Sequence, residues 1–181
     1  MDKNILITDR LVLRTIGACD AEALTARADN YKVAVMLARL PYPYTLADAH
    51  HFIAGVNEKR EDDGIFGLYL KPAEIFIGVC CYEWHGEDAP EFGYWLGEPY
   101  WGEGYMSEAV QAVIAHAFRV NRHEKLLSGC RLQNLASRRV LAKAGFEHVG
   151  RYEIDSLVLK AKLPGDRFRL TRERWEGRDA G

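Results

Sequence analysis

Two glycines one residue apart, Gly102 and Gly104, stand between a strand-like run and the start of a helical run. Glycine lets backbone N–H groups converge without an obstructing Cβ, and the first turn of the following helix adds unpaired donors and a positive dipole end. Such a loop is suited to bind a diphosphate. The loop has no Gly-Lys-Ser/Thr sequence and does not follow the first strand of the chain, so neither a nucleotide γ-phosphate with magnesium nor a dinucleotide fold is predicted.

The sequence around these glycines, EFGYWLGEPYWGEGYMSEA at residues 91–109, resembles the cofactor loop of the GCN5-related N-acetyltransferases (GNAT). The resemblance is to the branch named for enzymes that acetylate ribosomal-protein N-termini. Further stretches are similar to this branch in the same order along the chain: residues 8–14, 40–49, 134–146 and 168–175. Nearly the whole chain is covered. The resemblance implies an acetyl-coenzyme A-dependent acyltransferase that uses no metal.

The resemblance also implies which residues would contact coenzyme A. The pantetheine arm would follow the backbone ahead of the loop, and the phosphates would lie on the loop and the first helical turn. The residues assigned to cofactor binding are Tyr94, Trp95, Leu96, Trp101, Gly102, Glu103, Gly104, Tyr105, Met106, Ser107, Asn134 and Ser137. The superfamily often has Arg or Gln three residues before the first loop glycine. This chain has Pro99 there, so a side-chain contact with the phosphates is lost at that position.

Glu91 is the residue predicted to act as the general base. An α-amine has a pKa of about 7.7–8.0 and a lysine amine about 10.4, so a base matters more for the second. Strand alternation places Glu91 on one face with Gly93 and Trp95, a few residues from the presumed thioester, where it would act through water. The alternative is a paired or solvated carboxylate at a strand edge.

Ser137 and Asn134 are the polar residues predicted beside the pantetheine. Ser137 shares the inward stripe of a helix with Val140, Leu141 and Ala144, and the resemblance implies that its hydroxyl donates to the coenzyme sulfur as the thiolate leaves. A local bond to a carbonyl one turn earlier is the alternative. Asn134 resembles the family residue that bonds the pantetheine, and it could equally be a plain helix N-cap.

The acceptor is left open between a protein N-terminal α-amine and a small-molecule amine. Trp84 and His85 are predicted to contact it, with core packing and an exposed turn as the respective alternatives. Four carboxylates could form an acidic mouth for a polycationic amine, or could be solvated turn charges: Glu83, Glu87, Asp88 and Glu91. A catalytically silent acyl-coenzyme A-binding or sensing module is the alternative function.

Composition fits one soluble domain over residues 1–181, with 48% hydrophobic and 28% charged residues. The net charge of −2 gives no reason to expect nucleic acid or an anionic membrane as a partner. No run approaches the roughly 18 apolar residues of a membrane span, and residues 1–4 lead directly into a strand pattern, which predicts a cytoplasmic protein. The resemblance makes a homodimer possible. The four cysteines are predicted to be reduced packing residues.

Periodicity and turn residues predict the order of the elements. The predicted strands span 11–14, 65–70, 74–84, 91–96, 125–132, 152–161 and 167–170, and the predicted helices span 20–29, 45–58, 105–120 and 135–144. An antiparallel meander followed by strand, helix and strand predicts a mixed α/β (α+β) sheet. It is mostly antiparallel with a parallel middle pair and helices on both faces, which is the GNAT fold. Residues 167–178 are predicted to be a solvated end that contains a strand.

Overall fold

The computed structural model describes residues 5–86 and 88–179. Its strands are β1 (Leu6–Ile7), β2 (Leu11–Arg14), β3 (Gly64–Leu70), β4 (Ile75–Glu83), β5 (Glu91–Leu96), β6 (Lys125–Arg131), β7 (Glu147–Ser156) and β8 (Ala161–Thr171). Its helices are α1 (Ala21–Ala28), α2 (Tyr31–Ala34), α3 (Leu46–Asn57), α4 (Tyr105–Arg119), α5 (Leu135–Ala144) and α6 (Arg172–Asp179). Glu87, one of the four carboxylates of the predicted acidic mouth, lies outside the described residues, as do residues 1–4.

The strands form one sheet in the order β1-β2-β3-β4-β5-β6-β8-β7. Every neighbouring pair is antiparallel except β5 and β6, which are parallel. Helices cover both faces, because buried side chains form one core between the sheet and α4–α6 and a second core between the sheet and α1 and α3. The predicted mixed sheet with a parallel middle pair is therefore confirmed.

Helix α4 packs its apolar stripe on the sheet, as its periodicity predicts. All seven residues of the stripe are buried: Met106, Ala109, Val110, Val113, Ile114, Ala117 and Phe118. On the opposite face, α3 starts at a capping box in which Thr45 accepts from the backbone N–H of Asp48 and Asp48 accepts from that of Thr45. Each face of the sheet thus carries a helix. The buried stripe fixes which side of α4 faces the sheet, and the capping box fixes where α3 begins.

The parallel strands β5 and β6 stay together for only a short distance. Their pairing consists of Glu91 with Leu127 and Phe92 with Ser128. Beyond these pairs the strands diverge, and no later residue of β5 is in register with β6 in the described chain. We call the space between residues 93–96 and residues 129–131 the β5–β6 gap.

Antiparallel pairing with β4 decides which backbone groups of β5 point into the gap. The N–H of Gly97 donates to the carbonyl of Ile77 on β4 at 2.8 Å. Because the hydrogen-bonding direction alternates along a strand, the N–H groups of Tyr94 and Leu96 point away from β4 and into the gap. The carbonyl of Leu96 points the same way, and there it accepts from the Trp101 indole at 2.7 Å.

Several predicted elements need correction. The predicted strand over 152–161 runs through the turn at residues 157–160, because β7 has the predicted length but begins five residues earlier, at Glu147. Strand β8 is longer than the predicted 167–170. The chain after Thr171 is the helix α6, which the sequence did not predict; its residues are largely exposed, as expected of a solvated end, except for Trp175, which is buried against Phe118. The short α2 has no predicted counterpart. Asp20 does not cap α1 with its side chain; its carboxylate instead accepts from Arg14 and from the N–H of Gly17.

Candidate active site

The loop between β5 and α4 has the backbone conformation that its glycines predict. Gly102 has φ +84° and Gly104, the N-cap residue of α4, has φ +80°. A Cβ at Gly102 would meet no protein atom within 4 Å. The left-handed conformation, and not lack of space inside the protein, is therefore what requires glycine at this position.

The same loop presents a row of backbone donors. The first helical residues Tyr105, Met106 and Ser107 have no intrahelical acceptor for their N–H groups. Within the described ranges, no N–H of residues 102–107 donates to another protein group. The dipole of the 15-residue α4 places partial positive charge at the same point. The loop is therefore equipped to bind a diphosphate.

Arg10 brings a guanidinium group to this loop, which the sequence reasoning missed. Its Nη1 donates to the carbonyl of Glu103 at 2.9 Å, and its guanidinium lies 4.5 Å from the centre of the Tyr105 ring. It comes from the turn between β1 and β2, about ninety residues away in sequence. The only signal was its place in the 8–14 stretch that resembles the family. Arg10 thus places a cationic group beside Glu103 and Tyr105.

Glu108 fixes Arg10 beside the loop. Its carboxylate accepts from Arg10 Nε at 2.7 Å, from the Arg10 backbone N–H at 2.8 Å and from the Thr8 hydroxyl at 2.6 Å. Burial acts to raise the pKa of Glu108, but the hydrogen bonds from Thr8 and Arg10 outweigh it, and the pKa lies below its ordinary value. The β1–β2 turn is thus held to the first turn of α4.

Ser137 meets Tyr94 on the α4–α5 face of the sheet. The Tyr94 hydroxyl lies 2.8 Å from Ser137 Oγ and also donates to the Ser137 carbonyl at 3.1 Å. Burial raises the pKa of the Tyr94 phenol, although its hydrogen bond with Ser137 acts in the opposite direction. The phenol is therefore protonated and able to donate. The sequence reasoning assigned only the backbone of Tyr94 and missed this hydroxyl pair.

Asn134 caps α5. Its Oδ1 accepts from the N–H of Ser137 at 3.0 Å, so the N-cap interpretation is confirmed. The side-chain amide has no hydrogen-bonded acceptor in the part of the chain that the structure describes, which leaves it available to a ligand. Contact between Asn134 and the pantetheine stays a prediction.

Some predicted cofactor residues can offer only their backbone. The side chains of Leu96 and Met106 are buried in the core on the α4 side. The Trp95 ring packs edge to face with Phe76 in the core on the α1–α3 side, with 6.1 Å between ring centres. Trp101 is exposed beyond its hydrogen bond to Leu96. The backbone of β5 is thus the surface that a pantetheine arm can use.

Glu91 is paired in the structure. Its carboxylate lies 3.3 Å from Arg167 Nη1 and 3.7 Å from Arg39 Nη2. The predicted strand alternation holds, because Phe92 and Leu96 pack in the α4-side core while Trp95 packs in the other. The structure thus favours the paired-carboxylate alternative for the isolated protein, and the general-base role stays a prediction.

Tyr152 is a further neighbour of Glu91 that sequence reasoning missed. The Arg167 guanidinium lies 5.2 Å from the centre of its ring. Its hydroxyl occupies the place of the missing side chain of Gly129, since a Cβ there would fall 1.8 Å from the hydroxyl oxygen. Burial, followed by the charge of Glu91, raises the pKa of Tyr152. Tyr152 thus reaches from β7 across β8 to β6.

Glu91 and Ser137 lie on opposite faces of β5. Tyr94, which binds Ser137, packs on the α4 side, whereas Glu91 shares the α1–α3 side with Trp95. The β5–β6 gap opens between these faces. A group that lies along β5 in the gap can therefore meet Ser137 from one side and a second molecule from the other.

The structure does not bring Trp84 to Glu91. The Trp84 ring packs edge to face with His123 after α4, and its backbone N–H donates to Asp63 at 3.0 Å. This placement supports the packing alternative. His85 is exposed in the turn after β4, as its own alternative predicts.

Each described carboxylate of the possible acidic mouth has a cation beside it, which favours neither of the two interpretations over the other. Glu83 pairs with Lys59 at 2.6 Å, Asp88 pairs with Lys125, and Glu91 lies beside Arg167 and, at a longer distance, Arg39. Sequence alone could not show these pairs, because each cation lies at least 24 residues away from its partner.

No group of three or more His, Cys, Asp and Glu side chains in residues 5–86 and 88–179 could hold a metal ion. The four cysteines are unpaired, with Cys80 and Cys130 buried. None of the described helices is both long and apolar enough to cross a membrane.

The mixed sheet with one parallel pair is the sheet that the resemblance to the GNAT acetyltransferases implies. The comparison with known families agrees, since the family described as "Acetyltransferase (GNAT) domain" matches residues 10–147. The chain belongs to this family and is an acyltransferase.

Individual relatives place the chain within the family. It is 29% identical to the [ribosomal protein uS5]-alanine N-acetyltransferase of Escherichia coli, over 85% of this chain and 83% of that one. It is 28% identical to the N-acetyltransferase YnaD of Bacillus subtilis, over 80% of this chain and 84% of that one.

Solved structures share the fold. The ribosomal-protein-S5-alanine acetyltransferase of Vibrio fischeri superimposes with a TM-score of 0.81 at 19% identity, covering 94% of this chain and 98% of that one. Mycobacterium smegmatis RimJ, solved in complex with CoA-disulfide, superimposes with a TM-score of 0.78 at 20% identity, covering 90% and 82%. At these identities the likeness establishes the fold alone.

Proposed function

We propose that this protein transfers the acetyl group of acetyl-coenzyme A directly to a primary amine. The observation that carries the proposal is the β5–β6 gap, where two outward-facing N–H groups of β5 lead to a loop of unpartnered backbone donors. The coenzyme supplies an activated acetyl group as a thioester. Every other requirement of the reaction is a matter of position, charge and proton transfer.

The loop binds the diphosphate of the coenzyme, and the β5–β6 gap binds its pantetheine arm. The N–H groups of residues 102–107 and the Arg10 guanidinium hold the diphosphate at the start of α4. The N–H of Leu96 is the nearer donor to the loop and pairs with a pantetheine amide. The N–H of Tyr94 lies deeper and faces the thioester carbonyl, where an oriented backbone donor stabilises the developing oxyanion. Asn134 binds the pantetheine from α5.

Protons move on both faces of β5. The amine nitrogen attacks the carbonyl carbon, the carbon–sulfur bond breaks, and Glu91 takes the amine proton through water on the α1–α3 side. On the α4 side, Ser137 Oγ donates a proton toward the departing sulfur, and the Tyr94 hydroxyl at 2.8 Å can replace it. The products are the N-acetyl amine and the free thiol. The protons balance when Glu91 releases the amine proton to solvent and solvent returns one proton to the Ser137–Tyr94 pair.

The test is acetylation of a pooled amine panel that contains peptides with varied N-termini, polyamines, aminoglycosides and free amino acids, read by mass spectrometry. A gain of one acetyl group on any member, dependent on acetyl-coenzyme A and on enzyme, is the expected result. Coenzyme binding measured by calorimetry runs in parallel. Binding without acetylation of any amine would contradict the proposed activity and favour a silent sensing module.

A further inference from the structure

We propose that the acceptor is a peptide N-terminus followed by acidic residues, which the protein seats in a basic groove next to Glu91. The inference rests on the proposed acetyl transfer and adds the class of amine. It rests on the observation that the side chains lining the groove on the Glu91 face of β5 carry more positive than negative charges, and that few of these positive charges are held in strong ion pairs.

The groove lies between the segment that follows α2 and the turn between β7 and β8. It has a volume of about 650 Å³ and is lined by Arg39, Lys160 and Lys162, with Asp155 as the single acidic lining residue. Ligand sites typically enclose roughly 300–1,000 Å³. The groove therefore has room for more than the amine, and its lining charge is positive.

The cations of the groove are available to a ligand. Lys160 forms no ion pair with any described residue, and Lys162 reaches only the exposed carboxylate of Glu153, at 3.8 Å. The Arg39 side chain is 63% exposed, and its 3.7 Å distance from Glu91 is too long for a good hydrogen bond. An acidic side chain in the groove would thus gain partners without breaking a strong pair.

Arg39 joins the groove to the reaction site. It lines the groove and also approaches Glu91, whose second partner, Arg167, is largely buried. Next to Glu91 on this face is Gly93, where a Cβ would meet only Cys81 Sγ, at 3.7 Å. An extended chain in the groove can therefore place its terminal amine over Gly93 while its following side chains pass Arg39.

A backbone hydrogen bond holds one side of the groove in place, and an apolar side chain lies at its edge. The backbone N–H of Leu157, in the turn between β7 and β8, donates to the carbonyl of Ala38 at 3.0 Å. This bond ties the turn to the segment after α2. The side chain of Leu157 is half-exposed above it. A peptide backbone can pack on this surface.

The experiment compares three peptides with the same N-terminal residue and with acidic, neutral or lysine residues at positions two to four. We expect kcat/KM for the acidic peptide to exceed that for the lysine peptide at least tenfold at low ionic strength, and this preference to shrink in high salt. In Arg39→Gln and Lys160→Gln the acidic-to-neutral ratio should fall several-fold, mainly through KM. Lys143→Gln, which removes an exposed cation on α5, is the matched control.

The outcomes separate the two proposals. Equal turnover of the acidic and lysine peptides, or an acidic preference that survives both groove substitutions, would overturn the acidic-peptide inference while leaving acetyl transfer intact. Faster acetylation of free aspartate or glutamate than of every peptide would reassign the groove to small anionic amines. If no amine of any class is acetylated, the proposed function itself fails.

Discussion

The hydroxyls of Ser137 and Tyr94 lie side by side, and we propose that Ser137 donates the proton while Tyr94 replaces it. Their substitutions should therefore lower kcat to different extents. We expect Ser137→Ala to lower kcat by roughly tenfold to a hundredfold, at or below the lower end of the usual range for general acid catalysis, because the Tyr94 hydroxyl remains in place. Tyr94→Phe alone should have a smaller effect, and the double variant should lose more than either. Steady-state kinetics with a fixed amine measures all three.

An additive double variant would contradict the shared role of Ser137 and Tyr94. Coenzyme binding by calorimetry is the control, since neither substitution touches the loop at residues 102–107. Unchanged kcat in Ser137→Ala would remove the hydroxyl from the mechanism.

The proposed role of Glu91 as a general base can be tested with acceptor amines that differ in pKa. If it accepts the amine proton through water, Glu91→Gln should lower kcat/KM by about a hundredfold for a lysine-type amine and less for an α-amine, which is already partly neutral at pH 7. The measurement is the pH dependence of kcat/KM for the two amines. Equal turnover by the variant and the unaltered enzyme at every pH would leave Glu91 with only its ion pairs to Arg39 and Arg167.

Glu108 should make stability depend on pH. Its folded-state pKa is lowered, so its stabilisation is complete above the unfolded-state value of about 4.3 and is lost as the pH falls through the folded-state value. Glu108→Gln should therefore cost about 1–2 kcal/mol at pH 7, and the two proteins should converge in acid. Urea denaturation over a pH series gives both free energies of unfolding.

Glu124→Gln serves as the control for Glu108, because the Glu124 side chain is 85% exposed. It should change the free energy of unfolding little at any pH. A constant difference between Glu108→Gln and the unaltered protein down to acid pH would show that the ionised carboxylate is not the source of the stabilisation.

At the scale of elements, the loop conformation is open to a matched glycine test. Gly102→Ala should cost about 1 kcal/mol in stability, because alanine is strained at φ +84°, and it should weaken coenzyme binding several-fold. Gly55→Ala is the control: this glycine lies inside α3 with nothing within 4 Å, so alanine there should stabilise by up to about 1 kcal/mol. Thermal unfolding and calorimetric titration with coenzyme A measure both effects.

Elements with strong periodicity were predictable, and the others were not. Helix α5 and strand β5 have the predicted bounds, and α4 differs by one residue at its end. Strand β7 was missed at its start because half of its residues are exposed and the polarity of residues 147–150 does not alternate. Helix α6 was missed because Trp175 alone anchors it in the core. Its arginines bind carbonyls of neighbouring elements, which no local pattern reveals.

Over the whole molecule, coenzyme binding should join the two parts of the sheet that the gap separates. At a hundredfold excess over Kd, coenzyme A should stabilise the protein by about 2.7 kcal/mol. Hydrogen exchange should slow at Tyr94, Leu96 and residues 102–107, whose N–H groups gain acceptors. Exchange mass spectrometry with and without coenzyme A measures this. If coenzyme A slows hydrogen exchange elsewhere but not at β5 or in the loop, the proposed binding path is contradicted.

The site is assembled from distant parts of the chain, and this limits what sequence can predict. The loop, Ser137 and Asn134 could be identified because each belongs to a contiguous motif. Four other residues could not be identified, because only the folded chain brings them to the site: Arg10, Arg39, Arg167 and Tyr152. Sequence therefore yields residue-by-residue predictions for the cofactor side, whereas the neighbours of Glu91 are found only in the structure.

The Trp101 indole has a second consequence beyond the cofactor. An unpaired strand segment is a template on which another chain can add a strand, and the open length of β5 is such a segment in the middle of the sheet. Trp101 already occupies the Leu96 carbonyl, which an incoming strand would need for its first hydrogen bond. The same side chain that borders the coenzyme loop thus removes one acceptor from the open length of β5.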